Sequence, residues 1–217
     1  LIEQELESVT TDSAKDINLS QNQHLEFRIH LRDPNQKAIR CKARPLPEAI
    51  KTMVKEALTQ QLEAGLIRRS TSEWASPLHV VIKPDGTIRL TVDYKILNAA
   101  IEFDAYPMPN TQKLLQEITQ SKWFSKFDFL KAYHQIPVER KSIKYTAFIC
   151  EFGLFEYLAM PMGIRTAPAW FQRCVDIMMT DVVARGSLKI YMDDLMLHTT
   201  TLQEHLVEAR ALIDAIK

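Results

Sequence analysis

Two neighbouring aspartates, Asp193 and Asp194, interrupt an apolar stretch at residues 188–198. The stretch contains no Gly or Pro, and its Tyr, Ile and Leu residues suit a half-buried strand, so it predicts a strand–turn–strand hairpin with the aspartates at its tip. A carboxylate is costly to bury unless its charge is compensated. The pair therefore indicates either a solvated turn or a site for a hard cation.

A third carboxylate, Asp128, ends another strand-like run at residues 123–128. If the two strands lie side by side, Asp128 meets Asp193 and Asp194 at one edge of a sheet. Three carboxylates within about 5 Å of one another repel by roughly 3 kcal/mol per pair at an effective dielectric of 20. Two Mg²⁺ ions would remove that penalty, and paired metals drive in-line phosphoryl transfer. This arrangement is typical of a polymerase palm.

The composition is that of an ordinary globular domain, with 46% apolar and 25% charged residues among 217. Lys plus Arg and Asp plus Glu both number 27, so net charge alone does not indicate nucleic-acid binding. Residues 1–23 hold five acids and one base, which leaves 26 bases against 22 acids, or +4, in the remainder. The three cysteines, at positions 41, 150 and 174, lack metal-ligand spacing and suggest a reducing compartment. No long apolar run or basic leader predicts membrane insertion or secretion.

Local signals predict the elements that surround these residues. Residues 78–83 and 87–92 should form a hairpin around Pro84-Asp85-Gly86. Asn110 or Thr111 should cap a short helix. Thr201 and Glu204 have capping-box spacing and should open a helix. We expect its inward face to comprise Leu206, Ala209, Leu212, Ile213 and Ile216.

The run Tyr191-Met192-Asp193-Asp194 matches the Tyr-x-Asp-Asp signature of reverse transcriptases. Other segments resemble that family in the same order. They are Trp74-Ala75-Ser76-Pro77, Arg89 with Val92-Asp93-Tyr94 and Leu97-Asn98, Tyr106-Pro107-Met108-Pro109, Phe124-Ser125-Lys126-Phe127-Asp128, Tyr133-His134-Gln135-Ile136, Thr146-Ala147-Phe148, Phe152-Gly153-Leu154, Met160-Pro161-Met162-Gly163 and Ala167-Pro168-Ala169-Trp170-Phe171-Gln172. Their order and spacing resemble the gypsy-type LTR retrotransposons, which are related to retroviral enzymes, from His24 to the last residue.

The resemblance implies an α+β polymerase right-hand fold, with fingers and a palm whose antiparallel sheet is backed by helices. The expected domains are a linker or disordered end at 1–23, fingers at 24–103, and a palm with part of the fingers at 104–217. The chain is expected to stop before the thumb, so that the thumb is absent.

The implied function is RNA-directed DNA polymerisation by the reverse transcriptase domain of a retrotransposon polyprotein. Nucleotidyl transfer from a dNTP to a primer 3′-hydroxyl would use two Mg²⁺ ions, with Mn²⁺ as a substitute. Asp128, Asp193 and Asp194 would be catalytic metal ligands, Asp194 the weaker, with the Phe129 carbonyl completing a shell. The dNTP contacts implied by the resemblance are Lys83, Arg89, Tyr133, Met162, Gly163 and Gln172. The implied template or primer contacts are Trp74, Pro77, Asp93, Lys95, Asn98, Arg165, Tyr191 and Met192.

The expected partners are an RNA and DNA template-primer, dNTPs, and the remainder of a polyprotein or a partner subunit, with no membrane. The expected location is cytoplasmic, in a virus-like particle, with access to the nucleus. Two alternatives stay open. One is an RNA-dependent RNA polymerase, against which Tyr133 argues because its ring would lie under the incoming ribose. The other is a truncated or domesticated copy that binds nucleic acid or a partner without catalysis.

Overall fold

A computed structural model of the chain describes residues 25–216. The predicted linker at residues 1–23 lies outside the described residues. Contacts divide the described chain into two units. The five-stranded unit comprises residues 25–104 and 133–167, and the three-stranded unit comprises residues 105–132 and 168–216. Within the described residues, no helix is both long and apolar enough to cross a membrane.

Helices and strands are distributed along the whole described chain. In order they are α1 (Glu48–Glu63), β1 (Ile67–Arg69), β2 (Ser76–Ile82), β3 (Ile88–Val92), α2 (Lys95–Ala100), α3 (Thr111–Glu117), β4 (Trp123–Asp128), β5 (Phe148–Cys150), β6 (Gly153–Tyr157), α4 (Ala167–Met178), α5 (Thr180–Ala184), β7 (Leu188–Tyr191), β8 (Asp194–Thr199) and α6 (Leu202–Ile216). Short 3₁₀ turns occur at Ala132–Gln135 and Ile143–Thr146. The predicted α+β class is confirmed.

The five-stranded unit is built on a sheet with strand order β1-β6-β5-β2-β3. Only β2 and β5 pair in parallel. The predicted hairpin of β2 and β3 is confirmed, since Ile82 lies opposite Ile88 at its closed end. In its turn, one carboxylate oxygen of Asp85 accepts hydrogen bonds from both the N–H and the hydroxyl of Thr87, at 2.9 and 2.6 Å. These hydrogen bonds stabilise the turn, whose residues lie outside the strand pairing of β2 and β3.

The three-stranded unit has β8 at the centre of its sheet, paired antiparallel with β4 and β7. The capping box at the start of α6 is confirmed, because Thr201 and Glu204 exchange hydrogen bonds between side chain and backbone N–H. The predicted inward face of α6 is partly wrong. Leu206 is 45% exposed, and His205 is buried instead. His205 fills that place because its ring nitrogens lie 2.8 Å from Ser125 Oγ and 3.1 Å from Thr199 Oγ1.

A second buried histidine, His198, contributes to the same unit. Its Nδ1 lies 2.9 Å from Ser121 Oγ, whereas its Nε2 is buried without a hydrogen-bond partner. Burial lowers the pKa of both His198 and His205. For His198, Lys189 lowers the pKa further and Glu117 opposes the shift. Both rings therefore become protonated at a lower pH in the folded chain than an unperturbed histidine does.

Protonation of these two rings should couple stability to pH. An unfolded histidine has a pKa of about 6.5, above that of either folded ring, so the unfolded chain binds protons first as the pH falls. The stabilisation is complete above about pH 6.5 and is lost as the pH falls through the folded pKa values. We expect the free energy of unfolding in urea to decrease between about pH 7.5 and 5.5. The double variant His198→Gln/His205→Gln should show a shallower decrease.

The matched control is His79→Gln, which changes an exposed histidine on β2. It should retain the pH dependence of the parent chain. A parent chain whose unfolding free energy is constant over this range would contradict the account.

Candidate active site

The aspartate hairpin closes with Tyr191 opposite Asp194, so Met192 and Asp193 are its two turn residues. Met192 has a φ of 54°, as the first residue of a II′-type hairpin turn requires. A residue with a side chain pays on the order of 1–3 kcal/mol for such a conformation, which persists only where its surroundings enforce it. The turn therefore needs support from neighbouring elements.

That support comes from Gln172 on α4. Its Oε1 accepts a hydrogen bond of 2.8 Å from the Met192 backbone N–H. Its Nε2 donates to Asp176 Oδ1 at 2.9 Å. Gln172 is fully buried. The oxygen and the nitrogen of its side-chain amide each form a hydrogen bond within the three-stranded unit. A contact between Gln172 and a nucleotide stays a prediction.

The three aspartates come together at one end of the three-stranded sheet. Asp128, the last residue of β4, lies directly opposite Asp194, the first residue of β8. Asp193 precedes Asp194 in the turn, and its carbonyl oxygen accepts a hydrogen bond of 3.3 Å from the Phe129 N–H. Asp128 is exposed, whereas Asp193 and Asp194 are half-buried. The sheet end is therefore a concentration of negative charge that solvent can reach.

Lys126 partly compensates this charge. It lies two residues before Asp128 and so on the same face of β4. Its Nζ is 2.7 Å from Asp194 Oδ1. Asp194 chiefly, and then Asp128 and Asp193, raise the pKa of Lys126. Because the pair is exposed it contributes little to stability, but it leaves Asp194 already engaged by a cation.

The donor set at this sheet end fits a hard divalent cation. Within residues 25–216, no group of three or more His, Cys, Asp or Glu side chains is arranged to hold a metal by itself. Mg²⁺ commonly takes only one or two carboxylates and completes its shell with water and substrate phosphates. Asp128 and Asp193, with the Phe129 carbonyl, can supply that protein share while Asp194 pairs with Lys126.

In the five-stranded unit, the two predicted phosphate-binding cations lie beside the β2–β3 turn. Lys83 and Arg89 are both exposed. The Arg89 Nη2 lies 2.7 Å from the Met162 sulfur. The structure thus brings Arg89 and Met162 together, and both were predicted to contact dNTP. These dNTP roles stay predictions.

Asn98 fixes the turn that follows Met162. Its Nδ2 donates to the Gly163 carbonyl at 2.8 Å, and its Oδ1 accepts from the Arg165 N–H at 2.9 Å. Gly163 has a φ of 93°, and a Cβ there would lie 3.4 Å from the Val92 carbonyl oxygen. The positive φ therefore favours glycine here, and a Cβ would add only a snug contact. Asn98, Gly163 and Arg165 form one connected group in this unit.

The other predicted template contacts differ in exposure. Trp74 is 4% exposed and Pro77 is buried in β2, so both pack within the five-stranded unit. Asp93 pairs with Arg44, whose guanidinium lowers the pKa of the Asp93 carboxyl. Lys95 is exposed at the start of α2. Their template roles stay predictions.

Tyr133 lies in the 3₁₀ turn Ala132–Gln135 of the five-stranded unit and is half-buried. Its carbonyl accepts a hydrogen bond of 3.2 Å from the Ile136 N–H. Tyr191, predicted as a template or primer contact, is half-buried at the end of β7. The ligand contacts of both residues stay predictions.

The sequence predictions did not include Lys126 or Asp176. A local signal existed for each, since Lys126 shares a strand face with Asp128, and Asp176 lies one helical turn after Gln172. The first signal does not identify Asp194 as the partner of Lys126, because the two meet only once β4 and β8 have paired. The second does not reveal Tyr106, the distant partner of Asp176.

Comparison with known proteins indicates the family of this chain. Residues 81–217 match the family described as reverse transcriptase (RNA-dependent DNA polymerase). The Tf2-3 and Tf2-7 transposon polyproteins of Schizosaccharomyces pombe are each 35% identical over 193 residues. That alignment covers 89% of this chain and 14% of each polyprotein. The chain therefore spans about a seventh of the length of these relatives.

Solved structures show the same fold at lower identity. The foamy viral protease-reverse transcriptase in complex with an RNA/DNA hybrid has a TM-score of 0.76 and 20% identity, covering 91% of this chain and 27% of that one. A mutant of the prototype foamy virus protease-reverse transcriptase has a TM-score of 0.77 and 21% identity, covering 99% and 29%. The predicted fingers and palm fold is confirmed by these matches. The family match over residues 81–217 shows that the chain belongs to the reverse transcriptase family.

Proposed function

We propose that this chain is the nucleotidyl-transfer region of a retrotransposon polyprotein and takes part in RNA-directed DNA synthesis. The observation that carries the proposal is the ladder pair of Asp128 and Asp194, with Asp193 in the adjoining turn. This arrangement supports the proposal because its carboxylates lie at a sheet end that solvent reaches, where we propose that a primer terminus and a triphosphate bind. The family match and the retrotransposon relatives support the reaction type.

In this proposal Asp128 and Asp193 hold two Mg²⁺ ions, which Mn²⁺ can replace. When bound, such ions activate the primer 3′-hydroxyl and stabilise the departing pyrophosphate. The Phe129 carbonyl adds one oxygen ligand. Asp194 contributes negative charge while its carboxylate is held by Lys126, at 2.7 Å. The Met192 turn fixes the direction in which Asp193 leaves the hairpin.

The proposed substrates are a dNTP and a primer paired to an RNA template. In the five-stranded unit, Arg89 would bind triphosphate oxygens bidentately and Lys83 would act as a mobile point charge. Arg165 has its guanidinium 5.7 Å from the ring centre of Phe103, which is 70% exposed. An exposed aromatic ring can stack on a base while the cation beside it binds a phosphate, so this pair supports a template contact.

The proposed ligand class agrees with solved relatives whose complexes contain double-stranded DNA or an RNA/DNA hybrid. Since the chain spans 14% of its polyprotein relatives, we propose that it acts within a longer protein. Primer extension on an RNA template, by the chain alone and by the longer protein, tests this. Nucleic-acid binding by both without extension would favour the non-catalytic alternative.

The first site prediction concerns the metal ligands. Asp128→Asn or Asp193→Asn in the longer protein should lower primer extension by more than about 100-fold. Mutating a residue that only supports a metal ligand lowers activity by at most about 100-fold, so loss of a ligand itself should exceed that value. The unfolding free energy without metal should stay the same or rise slightly, because one repelling charge is removed. Primer-extension rates and urea unfolding measure the two effects.

The matched control is Asp181→Asn, which changes an exposed aspartate of α5 in the same unit. It should leave extension unchanged. Near-full activity of Asp193→Asn would show that the metal assignment is wrong.

The second site prediction concerns the sugar. If the Tyr133 ring is the floor under the ribose, a 2′-hydroxyl would overpack against it at a cost of about 1–3 kcal/mol, or roughly 5- to 150-fold discrimination against rNTPs. Tyr133→Val should reduce that discrimination while dNTP use falls less. The measurement is kcat/KM for matched dNTP and rNTP, with Tyr145→Phe as the aromatic control. An unchanged ratio in Tyr133→Val would assign Tyr133 to packing.

A further inference from the structure

Tyr106 belongs to the Tyr106-Pro107-Met108-Pro109 motif, which has no role in the proposed reaction. Its hydroxyl donates a hydrogen bond of 2.5 Å to Asp176 Oδ2. The guanidinium of Arg173 lies 4.7 Å from the centre of the Tyr106 ring and 4.9 Å from that of Trp170. The ring is thus fixed by a cation on its face and its hydroxyl by a carboxylate.

Asp176 connects Tyr106 to the aspartate hairpin. One of its oxygens accepts from Tyr106, and the other accepts from Gln172 Nε2 at 2.9 Å. Gln172 in turn accepts from the Met192 N–H at 2.8 Å. Four residues from three parts of the sequence therefore form one continuous chain of hydrogen bonds. It ends on the turn residue with the positive φ.

The donors and acceptors in this series of hydrogen bonds determine how the Gln172 amide is oriented. A carboxylate only accepts hydrogen bonds, so Asp176 requires Gln172 to turn its NH₂ group toward it. The amide oxygen of Gln172 must then face Met192. A flipped amide would place two N–H donors against each other, and because Gln172 is fully buried, water could not compensate.

We propose that Tyr106 and Asp176 are positioning residues that set the orientation of the Gln172 amide and thereby hold the Met192–Asp193 turn. The consequence for catalysis rests on the proposed function, whereas the hydrogen-bond relay itself does not. The hydrogen bonds from Gln172 to Asp176 and from Met192 to Gln172 carry their effect to the hairpin.

The Tyr106 hydroxyl should remain protonated well above neutral pH. Burial, with the hydrogen bond to Asp176, raises the pKa of Tyr106 to about 12. The phenol therefore remains a donor in neutral and moderately alkaline solution.

Three variants separate the relay from simple packing. Asp176→Ala removes both acceptors. Asp176→Asn is the conservative rescue, because its oxygen can accept from Gln172 while its amide donates to the Tyr106 oxygen. Tyr106→Phe removes one hydroxyl and keeps the ring against Arg173, so it should fold even if Asp176→Ala does not. The matched controls are Asp181→Ala and Tyr145→Phe.

The first readout is hydrogen exchange of the Met192 amide, followed by NMR in the 217-residue chain without metal or nucleic acid. We expect exchange about tenfold faster in Asp176→Ala and about threefold faster in Tyr106→Phe, as expected for loss of one hydrogen bond. Asp176→Asn and both controls should stay within about twofold of the parent chain. Unchanged exchange in both Asp176→Ala and Tyr106→Phe would overturn the relay.

The second readout is primer extension by the longer protein. A misplaced turn should lower kcat by about fivefold or more in Asp176→Ala, with recovery in Asp176→Asn and little change in the dNTP KM. A rise confined to KM would assign the network to nucleotide binding and overturn the positioning role, as would an unchanged kcat despite faster exchange. If the parent protein does not extend primers, the proposed function fails, while the exchange experiment still decides the relay.

Discussion

The pairing of β4 with β8 places Asp128 directly opposite Asp194, and the surrounding structure compensates for this unfavourable contact. Like charges meet at one end of the sheet, and Lys126 supplies an opposite charge 2.7 Å from Asp194. The adjoining turn carries a second cost, the positive φ of Met192. The buried amide of Gln172 offsets that cost with a hydrogen bond. Charge repulsion and backbone strain are thus both partly offset inside the three-stranded unit, and the remaining negative charge at Asp128 and Asp193 favours a cation.

Local sequence signals predicted much of this architecture. The β2–β3 hairpin follows from a Pro-Asp-Gly turn between β-rich runs, and the start of α6 follows from Thr201 and Glu204. The aspartate hairpin was predictable because its strands and turn lie within twelve consecutive residues, 188–199. In each case the interacting groups are close in sequence, so chain connectivity limits the alternatives. The role of Asp128 came from its position at a strand end and from the resemblance of its motif.

Contacts between distant residues could not be predicted in the same way. Tyr106 and Asp176 are 70 residues apart in sequence, and nothing local indicates that they meet. Hydrophobic periodicity placed Leu206 inside, but polar partners on β4 and β8 favour His205 there. The burial of Gln172 was also missed, because its amide suggests a surface ligand contact until Met192 and Asp176 are known to surround it. The position of a buried polar side chain depends on its hydrogen-bond partners, and those partners come together only when the chain folds.

The central claim is that Asp128 and Asp193 hold the metal ions of a nucleotidyl-transfer site. The most direct test is anomalous diffraction from Mn²⁺ in crystals of the longer protein with an RNA template, a DNA primer and a non-hydrolysable dNTP analogue. The account predicts two Mn²⁺ peaks within roughly 2.3 Å of carboxylate oxygens of Asp128 and Asp193, about the length of a bond from a hard cation to oxygen. Ions bound elsewhere, with both carboxylates uncoordinated in the presence of primer and nucleotide, would contradict it.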